Sequence, residues 1–173
     1  RHTRYWRDWS SDVCSSDLVW QPAGGTWKLA AWAVLNMPSP RPAPGAPRFA
    51  ANDAADREGA AMLQRYVNAQ RAADLKPFDA MMAEGMLVVN FRGQKAKKDI
   101  VEGASHVKAD PAVLNDVRTT RCGTLTVVTC NLSMAQHVGF TTLPADPAPF
   151  LVVFQGTGDA AKVIATANTN RPK

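Results

Sequence analysis

The hydrophobic period of the chain changes at Asp110-Pro111, and this change constrains the fold more than any other feature. After it, the apolar residues fall in short β-rich runs bounded by turn residues, the pattern of strands. Segments 117–121 and 125–134 flank Gly123-Thr124, and 137–142 extends the sheet. Pro144, Pro147 and Pro149 mark a loop, and 150–155 with 162–169 read as a closing hairpin. Before the break the pattern is helical. Asn52 or Asp53 caps a helix reaching about residue 74, with Ala60, Leu63, Tyr66/Val67 and Ala69/Ala73 recurring at three- and four-residue steps. A second helix starts at Pro77, a favoured first-turn residue, and runs to about 84. A strand over 86–91, a turn over 92–94 and a third helix over 97–106 follow. Helices first and long antiparallel strands after give an α+β domain with its helices on one face of a sheet.

A second constraint is an internal repeat. Residues 19–38 align without gaps on 153–172, and Val19, Gln21, Gly24, Lys28, Ala31, Ala33, Asn36 and Pro38 are identical to their counterparts 134 residues on. That offset is about one small domain. The segment 19–38 therefore reads as the closing β-hairpin of a preceding sister domain. Residues 39–50, with four prolines in twelve positions, read as a semi-rigid linker between the copies. The complete domain is 51–173.

Residues 1–18, RHTRYWRDWSSDVCSSDL, have no periodicity and no relation to the rest. They match the in-frame translation of a high-throughput sequencing adapter and are set aside from fold reasoning, with Trp6, Trp9 and Cys14. On this reading the natural N-terminus lies outside the sequence. The compartment stays open between cytoplasm and periplasm.

Two cysteines then remain. If Cys122-Gly123-Thr124-Leu125 is a tight turn, Cys130 lies five residues along the outgoing strand, roughly 17 Å away. A disulfide needs Cα atoms roughly 4.4–6.8 Å apart, so buried free thiols are expected. Their spacing does not suit zinc, and no metal or cofactor is expected. The net charge of +5 comes from 20 Lys+Arg against 15 Asp+Glu. The dense cluster Arg92, Lys95, Lys97, Lys98 has only Phe91 beside it. A single-strand nucleic-acid binder needs a platform of aromatic residues, so no nucleic-acid partner is expected. No run of eighteen apolar residues exists, so no membrane span is expected.

The stretches Gln64-Arg65-Tyr66-Val67, Ala72-Ala73-Asp74-Leu75, Ala83-Glu84-Gly85 and Leu87-Val88-Val89-Asn90-Phe91-Arg92-Gly93 resemble the opening of nuclear transport factor two-like (SnoaL-like) proteins, with bacterial steroid Δ-isomerases the nearest pattern. The resemblance covers about 120 residues. It implies a cone-shaped, strongly curved antiparallel sheet with three N-terminal helices packed on its concave side, and a pocket at the mouth of the cone. It implies a ligand-binding wall containing Tyr66, Phe78, Met82, Val89, Asn90 and Phe150. In the isomerases a carboxylate base removes a proton beside a carbonyl, and an oxyanion hole stabilises the enolate. The oxyanion tyrosine falls on Tyr66, the base on Asn90 and the second acid near Phe150. An amide is no useful base and a phenyl ring donates no proton, so two of three groups are missing.

The remaining candidates are scattered. Asp79, His137 and His106 are possible bases by residue type, although a residue on a short helix or a lone histidine is more often exposed or structural. Asp116 reads as a turn residue. Two functions from different classes follow. One is a domain that binds a small apolar molecule, or pairs with its sister domain or with a second copy. The other is an isomerase-, dehydratase- or cyclase-type enzyme using Tyr66 with Asp79 or His137.

Overall fold

The computed structural model describes residues 15–35, 53–72, 74–90 and 92–170. The linker 39–50, most of the adapter-like segment, the capping candidate Asn52, and Ala73 and Phe91 lie outside the described residues.

The domain opens with helix α1, Asp53–Gln70, which is shorter than its stripe predicts. Gly59, Met62, Leu63, Tyr66 and Val67 are its buried residues, at steps of three and four. The second helix, α2, is Lys76–Met81 with Pro77 in its first turn. It ends three residues earlier than expected because Met82 is already extended. Strand β3, Met82–Asn90, therefore takes up Ala83-Glu84-Gly85. The expected turn over 92–94 is tighter than predicted. Asn90 pairs with Gly93, and a short strand β4, Gly93–Ala96, folds back on β3. Gly93 has a φ of 89°, a conformation that favours glycine. Helix α3, Lys97–Ala104, follows at once, its N-terminus capped by Asp99.

The remainder is β-structure. Strands β5 (Val107–Ala109), β6 (Val113–Cys122), β7 (Leu125–Ser133), β8 (Gln136–Val138), β9 (Thr141–Leu143), β10 (Ala148–Gln155) and β11 (Lys162–Asn168) come in that order. Six strands form one sheet in the order β4-β3-β11-β10-β7-β6. Its pairs are antiparallel except β3 with β11, which are parallel. That pair corrects the expectation of a wholly antiparallel sheet. β3 and β11 lie far apart in sequence, and no local pattern encodes the direction in which they meet. A second correction concerns 137–142, expected to extend the sheet. Gly139, at a φ of 62°, breaks it into β8 and β9, which join β5 in a separate three-stranded sheet. Asp116 sits at an irregularity in β6 with a φ of 54°, and its carboxylate accepts a hydrogen bond from Asn131 at 2.9 Å.

The core lies between the helices and one face of the six-stranded sheet. Met62, Leu63, Tyr66 and Val67 of α1 and Phe78 of α2 pack with Val128, Val152, Phe154 and Val163. Helix and sheet approach most closely where Gly59 meets Thr119 of β6. A Cβ at Gly59 would lie 2.0 Å from the Thr119 hydroxyl oxygen. Asp56, one turn earlier on α1, accepts a hydrogen bond from the Thr119 backbone N–H at 2.7 Å and fixes that approach. Cys122 and Cys130 are free thiols, one half-buried and one buried. No helix among the described residues is long and apolar enough to cross a membrane.

Ahead of the domain, β1 (Ser15–Ala23) and β2 (Thr26–Leu35) form a hairpin closed by Gly24-Gly25, both at positive φ. The adapter-like residues 15–18 continue β1 by pairing with 32–35.

Candidate functional site

Three strands supply the floor of a pocket. In β3 and β11, Val88 pairs with Thr166, and across β10 and β11 Phe150 pairs with Asn168. Side chains alternate across a strand. Val88 and Asn90 of β3 thus share a face with Thr166 and Asn168 of β11, and Asn170 follows at the same spacing. Tyr66, Val67 and Gln70 of α1 close one side. Ile100, Gly103 and Ala104 of α3 close another, and Gln136, Val138 and Leu143 from the three-stranded sheet close the third. The cavity measures about 330 Å³.

Its lining combines the apolar Leu132, Met134, Val88 and Phe150 with the amides and hydroxyls of Tyr66, Asn90, Gln136, Thr166, Asn168 and Asn170. Tyr66 is buried and its hydroxyl is hydrogen-bonded to that of Thr166. Burial pushes the Tyr66 hydroxyl well above the usual tyrosine range, and the bond to Thr166 acts against that shift. The Tyr66 ring rests on Phe78 at 5.4 Å between centroids. Asn170 donates to the Pro144 carbonyl at 2.9 Å, and its backbone N–H donates to Asn168 at 2.8 Å, so both amides are held in place. Arg92, Lys95 and Asp99 lie on the wall toward β4 and the start of α3. Asp99 is the one carboxylate lining the pocket among the described residues, and its oxygen accepts from the Ala96 N–H at 3.2 Å as the cap of α3.

Of the residues singled out from sequence, Tyr66, Asn90 and Phe150 line the pocket. Asn90 is engaged locally: its side-chain oxygen accepts the Arg92 N–H at 2.8 Å and holds the turn into β4. Phe78 and Met82 are buried in the core behind the wall. Val89 alternates onto the opposite face of β3, and its neighbour Val88 takes the lining position. Asp79 is exposed and pairs with Lys97 at 3.2 Å. His137 is exposed, its Nδ1 3.1 Å from the Thr142 hydroxyl. Neither Asp79, His137 nor His106 is in the pocket wall. Sequence reasoning missed Lys95, Gln136, Thr166, Asn168 and Asn170. The last three carried a readable signal, polar residues at every second position of a strand otherwise apolar on that side.

Solved structures with this arrangement of helices and sheet exist. An NTF2-like protein from Cytophaga hutchinsonii superposes with a TM-score of 0.54 at 17% identity, covering 65% of this chain and 94% of its own. The domain has the nuclear transport factor two-like fold. An NTF2-like protein of unknown function in nutrient uptake from Rhodospirillum rubrum matches at 0.54 and 20% identity, covering 65% of this chain and 97% of that one. A protein assigned as a dehydratase of the NTF2-like family from Streptomyces avermitilis matches at 0.56 and 13% identity, over 70% and 99%. No protein-family model matches the chain, and no curated protein matches it. At these identities the likeness to nuclear transport factor two-like structures speaks for fold alone, and this fold hosts unrelated activities.

Proposed function

We propose that residues 53–170 form a binding domain for a small, mainly apolar molecule with one anionic end. In this reading the sheet and the three helices enclose a cone, with the pocket at its mouth. The observation that carries the proposal is a lining that joins apolar side chains to a few polar groups, Lys95 among them. Lys95 is half-buried, and among the described residues no carboxylate lies within ion-pair distance of it. A few placed polar groups among apolar side chains are the usual composition of a ligand site, and 330 Å³ is at the small end of such sites.

The enzymatic alternative needs a base beside Tyr66. Thr166 is the hydroxyl's partner, Asn90 is an amide held in a turn, Asp79 and His137 lie outside the pocket wall, and Asp99, the carboxylate in that wall, is engaged as the cap of α3. Binding without turnover is therefore the reading the geometry favours.

The repeat supports pairing with a sister domain. At the positions of Thr166 and Asn168 the first copy carries Trp32 and Val34. The polar wall thus belongs to the second copy, which would be the ligand-binding member of the pair.

The test is calorimetric titration of the full chain with 2-naphthoate and with its uncharged analogue 2-naphthylmethanol. The carboxylate should bind more tightly, and Lys95→Met should abolish that preference. Equal affinities in the unaltered chain would refute an anion-selective site.

A further inference from the structure

Among the described residues, four buried side chains with polar atoms line the cavity: Tyr66, Gln136, Thr166 and Asn170. Three of them are engaged with the protein. Tyr66 and Thr166 are hydrogen-bonded to each other, and Asn170 donates to the Pro144 carbonyl. Gln136 differs. It is 8% exposed, yet among the described residues no group donates to its side-chain oxygen or accepts from its side-chain nitrogen. Nor is that amide sealed in the interior. Among the described residues, the enclosed side-chain atoms without a partner are Arg118 Nε and Thr119 Oγ1. The amide of Gln136 is therefore open, and the space it lines is the cavity.

The sequence sets this amide in apolar company. Leu132, Met134, Gln136 and Val138 line the cavity at every second position as the chain runs from β7 into β8. Across the strand pair Gln136 faces Leu143, another lining residue. None of these neighbours offers a strong hydrogen-bonding side chain. The backbone beneath Gln136 is well held. β8 is the central strand of the three-stranded sheet, and Gln136 pairs with Ala109 of β5 and Leu143 of β9. Arg71, just past the end of α1, donates from Nε to the Ala109 carbonyl at 3.0 Å and ties that sheet to the helix. A buried amide without a partner is costly and rare in native proteins. Leucine or methionine at this position would continue the apolar row without that cost. A bound molecule that supplies the missing partner offsets it.

An amide side chain carries an acceptor oxygen beside a donor nitrogen. A carboxylate or a ketone only accepts, and would leave the oxygen unpaired. A carboxamide or lactam presents an N–H beside a carbonyl and can pair with both atoms at once. We propose that Gln136 is a specificity-determining residue of the cavity, and that the ligand carries a neutral carboxamide or lactam group recognised by it. Lys95 stands on a different wall, toward β4 and the start of α3. The ligand class is thus an apolar body with an anion at one end and a carboxamide at the other. This rests on the reading of the cavity as an anion-selective ligand site.

The experiment is calorimetric titration of the full chain with 2-naphthoate, 6-carbamoyl-2-naphthoate and 6-acetyl-2-naphthoate. The last two have nearly the same shape, but the acetyl group lacks the N–H donor. The unaltered chain should bind the carbamoyl compound about tenfold more tightly than the acetyl compound. Gln136→Met should remove that difference and leave 2-naphthoate binding in place. It should also raise the thermal transition of the ligand-free chain, because it deletes an amide that has no protein partner. Gln136→Leu serves the same purpose if the methionine chain does not unfold cooperatively. Equal affinity for the two compounds in the unaltered chain, or a preference that survives Gln136→Met, would overturn the proposal. So would a lowered thermal transition, which would show that the amide serves the fold. Binding of 2-naphthoate without a carbamoyl preference sinks this inference alone. A carbamoyl preference with no preference for 2-naphthoate over 2-naphthylmethanol sinks the anion-selective reading and leaves the role of Gln136 standing. No binding of any of these compounds sinks both.

Discussion

The hydroxyls of Tyr66 on α1 and Thr166 on β11 are hydrogen-bonded to each other at the wall of the pocket, joining the first helix of the domain to its last strand. Both residues are buried. Removing one partner leaves the other unsatisfied, which costs about 1–3 kcal/mol. Tyr66→Phe should lower stability by that amount in urea denaturation. Adding Thr166→Val should recover part of the loss, because replacing both partners by apolar groups is nearly neutral.

Gly59 and Thr119 define a second contact of this kind. Glycine inside a helix is ordinarily about 1 kcal/mol worse than alanine. Here a methyl group would lie 2.0 Å from the Thr119 hydroxyl oxygen, on a strand whose backbone is tied to Asp56. Overpacking costs about 1–3 kcal/mol, so the clash outweighs the propensity. Gly59→Ala should reduce the denaturation midpoint, and Thr119→Ala in the same chain should restore it. A stabilising Gly59→Ala would show that the helix moves away freely.

The amide of Asn90 leads to a catalytic prediction. The chain should not isomerise a β,γ-unsaturated ketone above the rate in buffer, since Asn90 is an amide and Asp99, the carboxylate in the pocket wall, is engaged as the cap of α3. Asn90→Asp would keep the turn, because a carboxylate also accepts the Arg92 N–H, and should fold. A positioned base contributes on the order of 10²–10⁴-fold. The backbone N–H favours the ionised carboxylate and weakens it as a base, so any gain should fall at the low end of that range. Absorbance of the conjugated product reads both chains.

Cys130 sets an alkaline limit. Burial pushes its thiol from the ordinary 9.0 up to about 12. A raised folded-state value means that the contribution is fully present below pH 9.0 and is lost as pH rises toward 12, where the unfolded chain ionises first. The free energy of unfolding should fall through that window by at most about 1.4 kcal/mol per pH unit from this group. Cys130→Ala should flatten the slope, leaving the tyrosine contribution at higher pH. The half-buried Cys122 should react with a thiol reagent in the folded state well before Cys130 does.

The fold was legible wherever one period ran long enough. The stripe of α1, the β10–β11 hairpin and the Gly123-Thr124 turn are local patterns, and they stand as the sequence predicts. What local patterns do not carry is direction and partner. The parallel pairing of β3 with β11 joins segments about eighty residues apart. The three-stranded sheet depends on β5, a segment of three residues. At the pocket, Tyr66, Asn90 and Phe150 came from a family resemblance. The polar wall of Thr166, Asn168 and Asn170 was written in the alternation of β11 and went unread, because alternation alone does not say which face is the inside. Alternation likewise does not distinguish Val89 from Val88 as the lining residue.

The central claim is that the cavity bounded by α1, α3 and β11 is a ligand site, and Gly103 offers the most direct test. It lines the cavity, and a Cβ placed there meets nothing within 4 Å. Gly103→Phe therefore adds a ring to open space without disturbing the helix, and replacing a helical glycine should, if anything, raise stability. Titration of 2-naphthoate into the full chain should give saturable one-to-one binding, and in Gly103→Phe that binding should disappear while the thermal transition stays at or above its original temperature. Equal affinity in both chains, or no saturable binding in either, would contradict the account.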